Sequence, residues 1–401
     1  MLKLSYLRSA EELRKAAPQW DALWQRSEVS APFARAEFGA QWLTHFRPDA
    51  AFYGLVVEED ETFLAALPLV GRRSSKWTAC GGMPSNAWGL CGDLLLDAAA
   101  DESAVLDLLV EGLNEVPWPL LCLAPVAYEA PRWQALLAAA RGRGLDSMAV
   151  FSQRVGQVQI DGRWDDYQAQ WSGNHRRHIR KAFRRAKQSG NLSLAVYTQP
   201  AAQLPTLLRR ACEIEDRSWK GAAGTSILRA PTLFDWYLGQ AGRMADLGHL
   251  QLTFLKQDDR SIAFEYGCRA KGAYYSTKVG YDGAYAALSP GQLLRAMLLE
   301  EFFGSGDVRL VDFWGPLTDA TAKWATRDYA VGKLLIAPRR FVSRLALAGY
   351  AAARPCWRRL RSCLSSSTNV GWDQRACEHR PTIFEASGVG HEGMGRTSPK
   401  A

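Results

Sequence analysis

The sequence predicts an α/β (α+β) protein built as two tandem units, each with a mixed central sheet flanked by helices. Three observations predict it. The chain has 401 residues, beyond the usual size of one domain, and 47% of them are apolar, enough for more than one core. Helical and strand periodicities alternate through residues 1–150, and the same order returns in the second half. RAEFGAQWL from Arg35 echoes RAPTLFDWYL from Arg229, and each precedes a hairpin with an acidic turn, which points to duplication.

In the first unit, EELRKAAPQWDALWQRS puts Leu13, Trp20, Leu23 and Trp24 near helical spacing. FGAQWLTHF sets Phe38, Trp42 and Phe46 on one helical face. AFYGLVVEEDETFLAALPLV reads as a hairpin around Glu58-Glu59-Asp60-Glu61. The strand DLLLD, a helix near 101–115, the strand LLCLAPV and a helix from about Pro131 to Arg143 follow. In the second unit, RWDDYQAQW and NHRRHIRKAFRRAKQSG are helical, with Gly190 as the C-cap of the latter. LSLAVYT is a strand, QLPTLLRRACEIEDRSW and PTLFDWYLGQAGRMA are helices, and LQLTFLKQDDRSIAFEYGCR is a hairpin around Asp258-Asp259. A third strand, a polar loop, a helix opening on Ser289-Pro290-Gly291-Gln292 and a strand ending at Asp312 complete the unit. The expected divisions are 1–160 and 161–337, then a basic, partly amphipathic segment over 338–364 broken at Pro355. Residues 365–401, rich in Ser, Gly and Thr with almost no apolar periodicity, are expected to be disordered.

Charge divides by region. Residues 1–150 carry a net −6, residues 151–337 a net +7 and the last 64 residues a net +7, so an anionic ligand belongs with the second half. The eight cysteines (Cys80, Cys91, Cys122, Cys212, Cys268, Cys356, Cys363 and Cys377) show no CxxC. Cys377 lies near His379 but nothing completes a zinc set, so no metal is expected. Thiols without a disulfide spacing, an N-terminus without a long apolar core, and no run of about 20 apolar residues together predict a cytoplasmic protein.

The loop at 282–292 carries the most chemistry. Ser289 can cap the helix, Pro290 suits its first position, and Gly291 lets the backbone approach a ligand closely. Free N–H groups at a helix start form an anion site fit for a pyrophosphate. A Ser-Pro-Gly helix start with no ligand is the plain structural alternative.

Three strands, loop, helix and strand, with the loop at the pyrophosphate position, resemble the GNAT acyltransferase superfamily. An Arg-rich helix (Arg176, Arg177, Arg180, Arg184, Arg185), Gly280-Tyr281-Asp282, Ser289-Pro290-Gly291, Asp312-Phe313 with Gly315, and Lys323-Trp324 are similar to its CelD-like branch. That branch is associated with bacterial cellulose and exopolysaccharide synthesis. The similarity is strongest over about 170–336 and reaches the first half through Trp20, Phe33, Phe38, Trp42 and Ala66-Leu67-Pro68-Leu69. It extends to the Fem-type peptidyltransferases, which carry two GNAT-like units in tandem. Two features depart from the pattern. The superfamily's Gln/Arg-x-x-Gly-x-Gly/Ala signature is replaced by Ser-Pro-Gly-Gln. The glycine after Asp312-Phe313 arrives one residue early, with Lys323 eight residues beyond it.

The resemblance implies acyl transfer from an acyl-CoA, acetyl-CoA foremost, to an amine or hydroxyl of a small-molecule or sugar-linked acceptor. Such a reaction needs a positioned carbonyl, N–H groups to polarise it, and a base. The N–H groups are expected around Tyr274–Lys278, with Glu265 and Asp312 as candidate bases and Tyr281 as acid for the leaving thiolate. Lys323 would neutralise developing charge or hold an acceptor phosphate. Ser289, Gly291, Gln292 and Lys278 would hold the donor, and Arg180, Arg184 and Trp314 the acceptor. Each has a plainer role open to it: Glu265 facing solvent, Asp312 capping a loop, Tyr281 in the core, Lys323 on the surface, the arginines on a solvated helix face.

Two other functions stay open. One is Fem-type aminoacyl transfer from charged tRNA, with the arginine helix contacting RNA. The other is a non-catalytic scaffold. Residues 339–363, with Leu345, Leu347, Trp357 and Leu360 among arginines, also fit a peripheral contact with the inner membrane face.

Overall fold

The computed structural model describes residues 1–73 and 79–366. The first half runs β1 (Lys3–Leu7), α1 (Ala10–Lys15), α2 (Ala17–Arg26), α3 (Ala36–Phe46), β2 (Phe52–Glu59), β3 (Thr62–Arg73), β4 (Ala79–Gly82), β5 (Leu95–Leu96), α4 (Glu102–Glu115), β6 (Leu121–Val126), α5 (Pro131–Gly142) and β7 (Asp146–Gln159). The second half runs α6 (Trp164–Ala169), α7 (Gly173–Ser189), β8 (Leu192–Tyr197), α8 (Leu204–Asp216), α9 (Trp219–Ala222), α10 (Leu233–Asp246), β9 (Leu250–Gln257), β10 (Arg260–Ala270), β11 (Ala273–Tyr281), α11 (Pro290–Ser305), β12 (Leu310–Pro316), α12 (Asp319–Ala322), β13 (Arg327–Ala337) and α13 (Phe341–Ser366).

The first expected helix is two. α1 ends at Ala16, and α2 begins there with Pro18 in its first turn, where a missing N–H costs nothing. Pro355, by contrast, does not break α13, which continues to Ser366. One lost N–H bond is tolerated there because the helix is bonded on either side of it. The expected disorder of 365–401 falls outside the described residues beyond Ser366.

The two expected sheets are one. Its order is β1-β2-β3-β4-β6-β13-β7-β12-β11-β10-β9-β8, with β5 on β3. Read from its centre the order is a palindrome. A parallel pair, β4 with β6, stands on one side of the central strands, and another, β11 with β12, stands on the other. Between them lie β13 and β7, antiparallel from Arg327↔Gln157 to Ala337↔Asp146. The strands have crossed over: β13, from the end of the second half, borders β6, and β7, from the end of the first, borders β12. Each half therefore completes the other's sheet.

The cores repeat this interdependence. On one face, Trp20, Trp24, Phe38 and Trp42 share a single core with Leu207, Leu208, Trp236 and Phe254. On the other face, α4 and α5 cover the first half together with Leu334 and Ile336 of β13. There α6, α7 and α11 cover the second half around Tyr167, Trp171, Phe302 and Trp324. Neither half buries its apolar surface alone.

Candidate active site

Pairing of β11 with β12 covers only Ala273–Tyr275 against Leu310–Asp312. Beyond it the two strands part. β11 continues to Tyr281 along β10, and β12 continues along β7 with a register shift between Asp312 and Pro316. Asp312 provides the local cause. Its Oδ1 accepts the Trp314 N–H at 2.7 Å, closing a turn in which Trp314 adopts φ 56, a left-handed value unusual for a bulky residue. Oδ2 accepts Gln157 Nε2 at 2.8 Å, and Tyr329 lies against the same carboxylate. Gln157 is on β7 and Tyr329 on β13, so both exchanged strands hold the base of the cleft. Burial raises the Asp312 carboxyl above its ordinary pKa, against the pull of Gln157, the Trp314 N–H and Tyr329.

The first half walls this end. The Ser30 and Tyr275 hydroxyls are 2.6 Å apart, and the Trp314 ring lies 5.1 Å from Tyr275 and 5.6 Å from Phe33. Tyr275, Trp314 and Asp312 thus meet beside Ser30 and Phe33, more than 200 residues away in sequence. No local signal in the chain could have joined them.

The other end of the cleft is the start of α11. Tyr281 is six residues along β11 from Tyr275, roughly 20 Å at the rise of a strand. Its ring lies 3.8 Å from where a Cβ on Gly291 would stand. Tyr281 is therefore at the helix end of the cleft and far from Asp312, which removes it as acid for a leaving group there. Ser289 does not cap the helix with its side chain. The 3-10 turn Gly283–Leu288 delivers it at φ 56, ψ 51, and its carbonyl instead accepts the Gln292 and Leu293 N–H groups at 3.0 and 3.2 Å. Pro290 has no N–H. The Gly291 N–H has no hydrogen bond among the described residues, and the first turn holds no acidic residue. An unfilled positive helix end results.

Cations lie on the loop that leads to it. Asp282, buried beneath the loop, is bound by Arg217 at 2.7 Å and Arg260 at 3.6 Å, both of which reach solvent. These two arginines were missed in the sequence because they lie just after α8 and at the start of β10. The Gln292 amide oxygen accepts Trp324 Nε1 at 3.0 Å, so Gln292 braces the helix start against the segment after α12. His175 is buried between Trp171 and Trp324, with ring centroids at 4.8 and 4.6 Å. Burial, then the nearby Lys323 ammonium and His178, push His175 down to about 4. Lys323, exposed, accordingly stands by the helix end of the cleft and not beside Asp312. Arg180 and Arg184 are exposed on α7, which packs against α11 and the 283–288 turn.

Two expected residues are engaged elsewhere. A bulge opposite Tyr266/Gly267 inserts Thr277 and turns Lys278 to the face away from α11. There Lys278 pairs with buried Glu215 at 3.0 Å, so it is not a donor ligand at α11. Burial alone would raise Glu215, but Lys278 and Lys220 outweigh it and hold its pKa below the ordinary value. Glu265 lies one strand away from the cleft, on β10. It is buried and accepts the Tyr274 hydroxyl at 2.9 Å, with Arg295 3.8 Å away, so it does not face solvent; with Tyr274 and Arg295 it lines a small cavity against Val311 and Phe313 of β12.

Residues 173–324 match the acetyltransferase (GNAT) domain family. The second half of this chain carries a GNAT domain. No curated protein sequence matches the chain. Its fold is similar to that of FemX, with a TM-score of 0.54 and 10% identity over 83% of this chain and 96% of that one. It is likewise similar to the C-terminal domain of a putative lysylphosphatidylglycerol synthetase from Agrobacterium fabrum. There the TM-score is 0.50 and the identity 12%, over 85% of this chain and 97% of that one. Both likenesses span the two GNAT-like units together, as the exchanged strands require.

Proposed function

We propose that the second unit transfers an acyl group from an acyl-CoA to an amine or hydroxyl of a small or sugar-linked acceptor. The observation that carries this reading is the open start of α11, with its free Gly291 N–H, at one end of a cleft between parting strands. An anionic group of the donor would sit on that N–H and the helix end, near Arg217, Arg260 and Lys323. The roughly 20 Å to Asp312 calls for a donor with a long extended arm between its phosphates and its reacting carbon. Free-edge N–H groups of β11 past Tyr275 would polarise the thioester carbonyl. Ser30, Phe33, Tyr275 and Trp314 would position the acceptor beside it. Asp312 acts chiefly by shaping the turn at Trp314 and, at the base of the cleft, is the carboxylate available to take the acceptor's proton. A polysaccharide precursor as acceptor rests on the likeness to the CelD-like branch.

The test is acyl transfer from coenzyme A thioesters to amino sugars and amines. Asp312→Ala is expected to lower kcat by about 100-fold, a typical contribution of a general base. Transfer at the wild-type rate in that variant would remove Asp312 from the reaction.

A second reading is favoured by the exposed arginines of α7. Arg180 and Arg184 face solvent without a carboxylate on that helix, which suits a polyanionic donor such as charged tRNA. Salt-sensitive tRNA binding lost on neutralising Arg180, Arg184 and Arg185 would support it, and no binding at low salt would dismiss it.

A further inference from the structure

The residues after β13 form a surface that acyl transfer does not use. α13 packs through one stripe, with Ser343 and Leu347 buried and Tyr350 and Arg354 half-buried, at helical spacing. Leu347, expected on a membrane-facing side, turns inward. The opposite stripe carries Phe341, Leu345, Ala348 and Ala352, all exposed. Phe341 is 77%, Val342 63% and Leu345 55% exposed, while the other large exposed apolar side chains among the described residues, Met1, Phe151 and Val196, are scattered.

Charge selects what covers this stripe. Residues 338–366 contain seven arginines and no lysine, aspartate or glutamate. Arg339 and Arg340 fasten the start of the helix to the first unit. Arg339 pairs with Glu111 and its N–H binds Asn114, and Arg340 donates to the carbonyls of Asn114 and Val116 at 2.9 and 2.8 Å. Arg344 pairs with Asp146 at 3.4 Å, and Arg354, Arg358, Arg359 and Arg361 follow along the rest of the segment. A second copy of this face would bring two cationic helices together, and a nucleic acid would leave Phe341, Val342 and Leu345 against phosphates. An anionic bilayer satisfies both parts, taking the apolar side chains below its headgroups and the guanidinium groups among them. No helix among the described residues is long and apolar enough to cross a membrane.

We propose that α13 docks this protein onto an anionic lipid surface through Phe341, Val342 and Leu345, reinforced by the arginines that follow. Attachment of this kind is independent of what the cleft transfers. The Glu111 and Asn114 anchors hold the helix to the first unit, so docking would fix the orientation of the whole molecule on the membrane.

The experiment is co-sedimentation of the full chain with vesicles of phosphatidylcholine alone or mixed with phosphatidylglycerol. Binding is expected only with the anionic lipid, weakening as salt rises. Because both positions are exposed, the F341D/L345D double variant should keep the wild-type melting temperature and bind at least about tenfold more weakly. R358E/R359E should also weaken binding by about tenfold or more, from roughly 1 kcal/mol per basic residue near such a surface. Absence of binding to the anionic vesicles would overturn the proposal, as would wild-type binding by F341D/L345D. A dimer in solution that F341D/L345D converts to a monomer would assign the stripe to a second copy and overturn it equally.

Discussion

The palindromic sheet places the same opening in the molecule twice, and the two openings have been treated differently. In the first half, β4 and β6 are paired only at Gly81↔Leu121 and Gly82↔Cys122. The gap beyond is laced shut: Ser85 Oγ donates to the Ala124 carbonyl at 2.8 Å, and Arg72 binds Ser85 and the Met83 carbonyl. The helix that follows, α4, begins on Asp101, whose carboxylate accepts the Ser103 and Ala104 N–H groups, with Glu102 next to it. That helix end already holds its own anion. In the second half Arg295 of α11 reaches Ser276 of β11 and lies over the Phe313 ring of β12, but among the described residues no hydrogen bond joins β11 to β12 beyond Tyr275 and Asp312; Asp312 bends β12 aside, and α11 begins with neither a capping side chain nor an acid. A helix N-terminus thus serves stability in one unit and is left available in the other.

Several results would break or sharpen that contrast. The largest effect concerns whether the units can be separated at all. Residues 161–337 expressed alone lack β7, so β12 and β13 lose their shared neighbour, and the common core with α2 and α3 is exposed. This fragment should show no cooperative thermal transition by circular dichroism. A sharp transition would mean the exchanged strands are dispensable.

Next in size is a pH effect confined to the second unit. The unfolded chain takes up a proton on His175 near its ordinary pKa of 6.5, whereas the folded protein keeps the ring neutral down to about 4. Stability from this source is therefore present above pH 6.5 and lost as pH falls towards 4, by up to about 3 kcal/mol. Urea unfolding of His175→Gln across that window should give a flatter pH profile than the wild type. Parallel profiles would show that the imidazole titrates normally.

The smallest effect belongs to the closed opening. Asp101→Ala should cost about 1 kcal/mol of stability, the usual value of an N-cap, with acyl transfer unchanged. A loss of transfer would show that the first unit's helix end takes part in the reaction.

Much of this contrast was legible in the chain. Apolar spacing around Trp20, Trp42 and Trp236 marks the helices, the acidic turns mark both hairpins, and Ser289-Pro290-Gly291 marks the open helix start. The unreadable parts are those set by distant partners. β7, with the sequence DSMAVFSQRVGQVQ, is one of the two central strands of the sheet yet shows no clean alternation, because its pairing with β12 and β13 and not its own pattern keeps it extended. The exchange of β7 and β13 has no local signature either. Lys278 was misread because one extra residue at Thr277 inverts every side chain after it, and the burial of Glu265 is unreadable because Tyr274 and Arg295 reach it from other elements. Ser289 was misread as a cap because the 3-10 turn before it dictates its backbone.

The open start of α11 is tested most directly by thermal melting with coenzyme A thioesters, in the wild type and in Gly291→Glu. A Cβ at 291 has ordinary room beside Tyr281, and an acid suits a helix start, so the variant should fold at least as stably as the wild type. The wild type should be stabilised by about 2.7 kcal/mol at a donor concentration of roughly 100 times its Kd, and Gly291→Glu should show no stabilisation at that concentration. Equal stabilisation of the two proteins, or none of the wild type, would contradict the assignment of this helix end as the donor site.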